Sequence, residues 1–176
     1  AGLLIITADD PGMHSSQNEQ DNRRYAKFAR IPCIEPSDSQ EAKDLVAVAL
    51  SISEQFDTPV FLRLTTRICH SSSPVELADG MKPPASGHSL PTAFPRNPGK
   101  YVMVPANARN RHPVIEERIR LLTELAESFP YNRLEWGDAD LGIVTCGVSY
   151  QYAREVFPTA SILRLRASSF SRGVTL

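Results

Sequence analysis

"GLLIITADDPGMHSSQNEQDNRRYAKFAR", residues 2–30, joins an apolar run to two adjacent carboxylates, Asp9 and Asp10, and then to a series of small or polar residues before a helical pattern begins. The apolar and β-branched part, bounded by turn formers, reads as a buried strand that needs partners on both sides. The chain therefore opens inside a core. It also lacks an initiator Met, so it is expected to be a piece of something longer.

Outward from this stretch, Ser16 followed by Glu19 matches a capping box, which predicts a helix start there. Tyr25, Phe28 and Ala29 would then face the core, with Asn22, Arg23, Arg24 and Lys27 toward water or a partner. The segment "IPCIEPSD", residues 31–38, carries prolines and is an edge or terminal strand at best. Ser37 and Gln40 repeat the capping pattern before a stronger helix, in which Leu45, Val48, Ala49, Ile52 and Phe56 fall on one stripe. "DTPVFLRLTTRIC", residues 57–69, supplies the next strand. The order strand, helix, short strand, helix, strand is that of parallel α/β crossovers.

Composition changes near residue 71. Eight prolines lie between Pro74 and Pro113, which argues for an extended surface connection. Pro113 suits the first turn of a helix whose stripe is Ile115, Ile119, Leu122, Ala126 and Phe129. "DADLGIVTCG", residues 138–147, reads as a strand and glycine turn, "VSYQYAREVF" as a short helix and "ASILRL" as a further strand. The sole Trp, Trp136, sits at a turn, either plugging a seam between domains or packed in a core. The closing "RASSFSRGVTL" reads as a frayed end. The fold class is thus α/β, with a parallel-sheet unit over residues 1–75, a linker and connecting helix over 76–129, and the start of a second α/β unit over 130–176.

Bulk properties narrow the function classes. The chain has 176 residues, 41% of them hydrophobic, enough for a substantial core. Nineteen Lys and Arg against twenty Asp and Glu leave a net charge of -1, so no polyanion-binding surface is implied and nucleic acid is not an expected partner. Cys33, Cys69 and Cys146 are too far apart for a metal site and fit reduced thiols of a cytoplasmic protein. No apolar run approaches the roughly 20 residues that span a bilayer, so no membrane association is expected.

Ligands of open parallel sheets sit beyond the carboxyl ends of strands. Asp9 and Asp10 fall there, and the loop after them leads toward a helix whose backbone N–H groups can hold an anion. An ordinary "DPG" turn with Ser16 as a mere cap explains the same residues. His14, among small residues, is a candidate for polar contact with a ligand. Arg63 and Arg67 flank "LTT" on the third strand. A guanidinium there can clamp the carboxylate of a 2-oxo acid, while an ion pair within the protein is the alternative. His70 with Ser71, Ser72 and Ser73 forms a second polar rim that would face the first. Arg109, Arg111 and His112 form a basic patch suited to another subunit or domain. No dinucleotide fingerprint, phosphate loop, metalloprotease helix or nucleophile elbow is present.

The wording of "ADDPGMHSSQNEQDNRRYAKFARIP", "EPSDSQEAKD", "TPVFLRLTTRICHS", "KYVMVPANARNRHPVIEERI", "NRLEWGD" and "GIVTCGVSYQYAREVFP", in this order, closely resembles the large subunit of indolepyruvate ferredoxin oxidoreductase, up to about residue 165. The resemblance implies an anaerobic, thiamine diphosphate-dependent oxidoreductase that converts indolepyruvate and other aryl pyruvates to acyl-coenzyme A and passes electrons through 4Fe-4S clusters to ferredoxin. Residues 1–75 would be the later half of a pyrimidine-binding domain, and residues from about 130 the start of a transketolase C-terminal-like domain. Thiamine diphosphate, Mg2+ and the clusters would be bound by the full-length enzyme, none by this fragment alone. The partners implied are a smaller beta subunit, ferredoxin, coenzyme A and the aryl pyruvate.

On that resemblance His14, Ser15, Ser16 and Gln17 are the expected substrate-side contacts, with Arg63 and Arg67 as anion contacts. No residue of the chain is assigned as catalytic or metal-ligating, and the catalytic role rests with thiamine. The glutamate that would activate the aminopyrimidine lies outside the chain, so the chain alone is expected to be inactive. A non-catalytic subunit-interaction or assembly module is the competing reading.

Overall fold

A computed structural model describes residues 2–77 and 96–167. The apolar runs become two three-stranded sheets. In the first, β1 (Leu4–Asp9), β2 (Cys33–Ile34) and β3 (Val60–Thr65) are parallel in the order β1-β3-β2, with Leu4 opposite Val60, Asp9 opposite Thr65 and Cys33 opposite Phe61. This register brings the carboxyl ends of all three strands to one rim. The expectation of partners on both sides of β1 is corrected: among the described residues β1 is an edge, and Ile6 is 62% exposed. The reason is topological, since β3 inserts between β1 and β2 and covers only one side of each.

Connecting β2 to β3 is α2 (Ser39–Phe56). Its N-cap is Asp38, whose carboxylate accepts the Glu41 N–H at 2.8 Å, while the Glu41 carboxylate accepts the N–H and hydroxyl of Ser37 at 2.9 Å. The capping device is therefore real but set one residue later than Ser37 and Gln40 indicated. Leu45, Ala49 and Ile52 are buried and Val48 and Phe56 pack beside them, as the stripe requires.

The first helix departs most from its pattern. Instead of starting at Ser16, α1 runs Arg23–Ala29 with Asn22 as N-cap and no side-chain cap bond, and the Ser16 hydroxyl donates to the Asn18 carbonyl at 2.6 Å. Tyr25 and Phe28 are exposed, Phe28 by 90%, and only Ala26 is buried. Seven residues held through one small side chain do not bury a stripe.

Residues 78–95, where the extended linker was expected to run, lie outside the described residues. Before them, the short helix α3 (Thr66–His70) follows β3; after them, α4 (Pro98–Tyr101) leads into α5 (Pro105–Glu127). Pro105, not Pro113, opens α5, and Pro113 lies inside it, where it lacks an N–H for the helical ladder. Helix α5 is anchored from both ends. Asp57, in the left-handed region that ends α2, meets Lys100 at 2.6 Å, Arg118 at 3.6 Å and Arg111 at 3.8 Å. Leu122 and Phe129 enter the same core as Ile34, Leu45, Val60 and Leu62. Arg111 of the expected basic patch is thus engaged within the chain.

The second sheet has the order β4-β6-β5, formed by β4 (Arg133–Glu135), β5 (Asp138–Cys146) and β6 (Ala160–Leu165), with α6 (Ser149–Val156) between the last two. Strand β5 is parallel to β6, and β4 is antiparallel to it. Three residues are too few for a visible alternation, so β4 was not expected. Trp136 is 83% exposed, which corrects the reading of it as a core residue. It precedes Gly137, whose backbone passes so close to the Thr159 carbonyl that any Cβ would collide. The frayed end is also corrected in part: Arg166 is fully buried, and Ala167 forms an antiparallel bridge with Ile34. Residues 168–176 lie outside the described residues. No helix among the described residues is long and apolar enough to cross a membrane.

Candidate functional site

At the strand-end rim the two carboxylates that close β1 have separate tasks. Asp9, buried, accepts the Asn22 N–H at 2.8 Å and Arg63 Nε at 2.6 Å. Arg63 is 5% exposed and donates its other arm to Glu35 of the β2 end, with Asp21 at 3.7 Å. Its guanidinium is thus engaged by three carboxylates of the chain itself, the ion-pair arrangement weighed above. Arg23 pairs with Asp21 at 2.7 Å and reaches the Cys146 Sγ at 3.8 Å. Burial, reinforced by Glu35, pushes the Cys33 and Cys146 thiols up, so neither is poised as a nucleophile.

Asp10 organises the loop. A turn with Pro11 second and Gly12 third (φ 83°) returns the Met13 N–H to the Asp10 carbonyl at 3.2 Å, and Met13 is itself in the left-handed region (φ 52°). Beyond it the N–H groups of His14 (3.0 Å), Ser15 (2.7 Å) and Ser16 (2.7 Å) all donate to the Asp10 carboxylate, joined by the Thr66 hydroxyl at 2.7 Å. The loop's N–H groups therefore do hold an anion, and it is the side chain of Asp10. The Ser15 N–H and then the Thr66 hydroxyl keep this carboxyl well below the usual carboxylate range, against the opposing effect of burial.

A pH dependence follows from the sign of that shift. Because the folded value lies below the unfolded one, the stabilisation from Asp10 is complete above the ordinary carboxylate range, about pH 4. It is lost as pH falls through that range toward the folded value. The protection of the Ser15 and Ser16 amides, measured as the exchange rate relative to the intrinsic rate at each pH, is expected to be high at neutral pH and to fall on acidification below about pH 4.

His14 lines a cleft of about 530 Å³. From the short helix after β3 come Arg67, Ile68 and His70, followed by Ser71 and Ser73; the second unit contributes Val148, Gln151 and Tyr152. Ser37 and Asp38 also line it, and Gln151 Nε2 donates to the Asp38 carboxylate at 3.2 Å. The two polar rims, His14 on one side and His70 with its serines on the other, thus share one cleft. Ser15, Ser16 and Gln17 are not among its lining, and Arg63 lies in the buried ion network. A second depression of about 540 Å³ is lined by Asn18, Glu19, Gln20, Asp21, Arg24 and Tyr25. Sequence reasoning missed Asp38, Gln151 and Tyr152, because each first reads as a helix cap or helix residue. Among the described residues no group of three or more His, Cys, Asp or Glu side chains is placed to hold a metal ion.

No family model matches the sequence. Among curated relatives, the chain is 42% identical over 161 residues to the indolepyruvate oxidoreductase subunit IorA of Archaeoglobus fulgidus, covering 92% of the chain and 25% of that protein. It is 45% identical over 155 residues to the subunit of the same name from Pyrococcus horikoshii, covering 88% of the chain and 24% of the relative. Over most of its length the chain matches IorA-type subunits. It is 38% identical over 164 residues to the Methanothermobacter thermautotrophicus subunit, covering 92% and 26%. The chain spans about a quarter of the length of the curated relatives it matches. A solved structure, 2-oxoglutarate:ferredoxin oxidoreductase from Magnetococcus marinus with 2-oxoglutarate, coenzyme A and succinyl-CoA bound, superposes with a TM-score of 0.51 at 14% identity. That superposition covers 95% of the chain and 37% of the solved one, and it shows the α/β fold alone.

Proposed function

We propose that the chain is part of the large subunit of a cytoplasmic, thiamine diphosphate-dependent 2-oxo acid:ferredoxin oxidoreductase acting on indolepyruvate and other aryl pyruvates, and that its cleft lies on the substrate side. The 42% identity over 161 residues to an indolepyruvate oxidoreductase subunit carries this reading. On it, residues 1–75 are the later half of a pyrimidine-binding domain and residues from 130 begin a transketolase C-terminal-like domain. The two separate sheets support that division. Arg67 is the cation for the substrate carboxylate, since a guanidinium binds it bidentately. His14 and His70 are hydrogen-bond donors beside it, and Ile68, Val148 and Tyr152 offer apolar surface to an aryl ring. Ser15 and Ser16 serve through the loop's conformation.

The described residues do not by themselves fit the cofactor's diphosphate and metal. Asp9, Asp10 and Glu35, the buried carboxylates at the rim, are taken up by donors of the chain. In this reading the ligands of thiamine diphosphate, Mg2+ and the 4Fe-4S clusters come from the rest of the enzyme, and no chemical step is assigned to this chain. A smaller beta subunit, ferredoxin and coenzyme A are the proposed partners. One observation favours the assembly-module reading as a second function: Tyr25 and Phe28 of α1 and Ile6 of β1, an edge strand among the described residues, are exposed apolar side chains.

The test is anaerobic turnover by the full-length large subunit co-expressed with its partner, read as indolepyruvate- and coenzyme A-dependent reduction of ferredoxin. Turnover is expected in the wild type. Arg67→Ala is expected to raise KM for indolepyruvate about 10- to 100-fold, the value of one charge-assisted pair. His14→Ala is expected to raise it about 3- to 10-fold, as for one neutral hydrogen bond. A full-length enzyme that does not oxidise aryl pyruvates overturns the reading and leaves the assembly module.

A further inference from the structure

We infer that Asp10 is a positioning residue of the cleft, whose carboxylate sets the 10–16 loop against the short helix α3 so that His14 enters the space shared with Arg67 and His70. The inference rests on the proposed role of that cleft in binding the oxo acid, and it assigns Asp10 no contact with the substrate.

Three features of the geometry carry it. Asp10 is only 6% exposed, yet no ion pair among the described residues reaches it. Its two oxygens are satisfied by four neutral donors instead, three consecutive amides and one hydroxyl. A carboxylate buried in this way is an acceptor whose removal leaves several donors without a partner, which costs more than the loss of a single surface bond.

The donors also come from two walls. The amides belong to the loop that bears His14, while Thr66 is the first residue of α3, which bears Arg67 and His70. One side chain thereby joins the two polar rims of the cleft. Thr66 strengthens the join by placing the same hydroxyl 3.1 Å from the Asp9 carbonyl.

Finally, the loop is held in a conformation it would not adopt unaided. Gly12 and Met13 are consecutive residues at positive φ, and for Met13 that region is unfavourable. Convergent N–H groups after such a bend form a concavity for an anion. Filling it from within, Asp10 turns the backbone donors of residues 14–16 away from any ligand and leaves the His14 imidazole as the loop's contribution to the cleft.

Asp10→Asn preserves size but replaces one acceptor oxygen by an amide NH2 that faces donors. In the full-length enzyme with its partner subunit, and with indolepyruvate as the probe, Asp10→Asn is expected to raise KM about as much as His14→Ala, with a smaller fall in kcat. The Asp10→Asn, His14→Ala double variant is expected to raise KM by clearly less than the product of the single effects, because a missing imidazole has no position to lose. A wild-type KM in Asp10→Asn while His14→Ala is impaired overturns the positioning role and leaves the cleft reading intact; so do effects that multiply fully. Wild-type KM values in both His14→Ala and Arg67→Ala overturn the cleft reading, and the role of Asp10 falls with it. Should Asp10→Asn fail to accumulate, hydrogen exchange on the wild-type enzyme decides: slow amides at residues 14–16 support the inference, and rates of an open loop overturn it.

Discussion

Replacing Arg63 by methionine is expected to destabilise the protein by about 3–5 kcal/mol, the scale set by removing one partner from a buried ion pair. Arg63 sits on the central strand of the first sheet, 5% exposed, between Asp9 of one neighbouring strand end and Glu35 of the other. Methionine retains much of the apolar volume and removes only the charge. Asp9 is left with the Asn22 amide, and its Oδ1 already has no hydrogen-bond partner. Two buried carboxylates then face each other across β3 without the cation between them. Chemical denaturation followed by circular dichroism measures the loss. Adding Asp9→Asn and Glu35→Gln is expected to recover a substantial part of it, because the penalty belongs to the stranded charges rather than to the missing contact. A loss in Arg63→Met below about 1 kcal/mol, the range of exposed pairs, would mean that the network is not desolvated as described.

The second large effect is expected at Arg166, with Arg166→Met costing about 3 kcal/mol, the lower end of the buried-pair range. Its guanidinium is fully buried, with Nε 2.6 Å from one oxygen of Glu41 and Nη2 2.9 Å from the other and from the Ser37 hydroxyl. It also lies 5.3 Å from the centre of the Tyr150 ring. The lower figure applies because Arg164, 3.5 Å from Glu41 and 4.8 Å from the same ring, keeps part of the charge balance. Burial opposes ionisation of Glu41, but its bonds to Arg166 and Ser37 outweigh that and hold the carboxyl below its ordinary value. This contribution is present above the ordinary glutamate range and is lost as pH falls through it, so the difference between wild type and Arg166→Met is expected to narrow in acid. Arg166 joins the end of β6 to the start of α2, and Glu35 N–H donates to the Arg166 carbonyl at 2.9 Å. Proteolysis of the variant is expected to begin in the 130–167 segment.

Both effects arise at residues whose roles were invisible or divided along the chain. Arg63 stands in an apolar strand, where a cation is a signal in itself, yet its pattern fits a substrate clamp as well as an ion network. Its neighbours Asp9 and Glu35 are 54 and 28 positions away, and parallel pairing alone makes them adjacent. Arg166 follows a clear strand but opens a stretch without periodicity, so nothing near it announces burial. Helix α1 errs in the other direction. Tyr25 and Phe28 have core spacing and are exposed, because periodicity reports which face is apolar and not whether anything covers it.

Where the determinants were local, reading along the chain was enough. Leu45, Ala49 and Ile52 at helical spacing placed the buried face of α2, and the apolar runs of β3, β5 and β6 placed those strands, because side-chain burial repeats with the period of the backbone that carries it. The order of those elements was enough for parallel α/β pairing, and long motifs in sequence were enough for the resemblance to indolepyruvate oxidoreductase subunits that the similarity to curated relatives bears out. Tertiary structure settled the rest. It put β3 between β1 and β2, carried α5 through Pro113 into the first core, and brought His14, Arg67 and Tyr152 to a common cleft. Above all it decided which anion the loop after β1 holds. The N–H groups of residues 14–16 are competent to bind any carboxylate, and only the fold, by burying Asp10 beside Thr66, supplies that carboxylate from within.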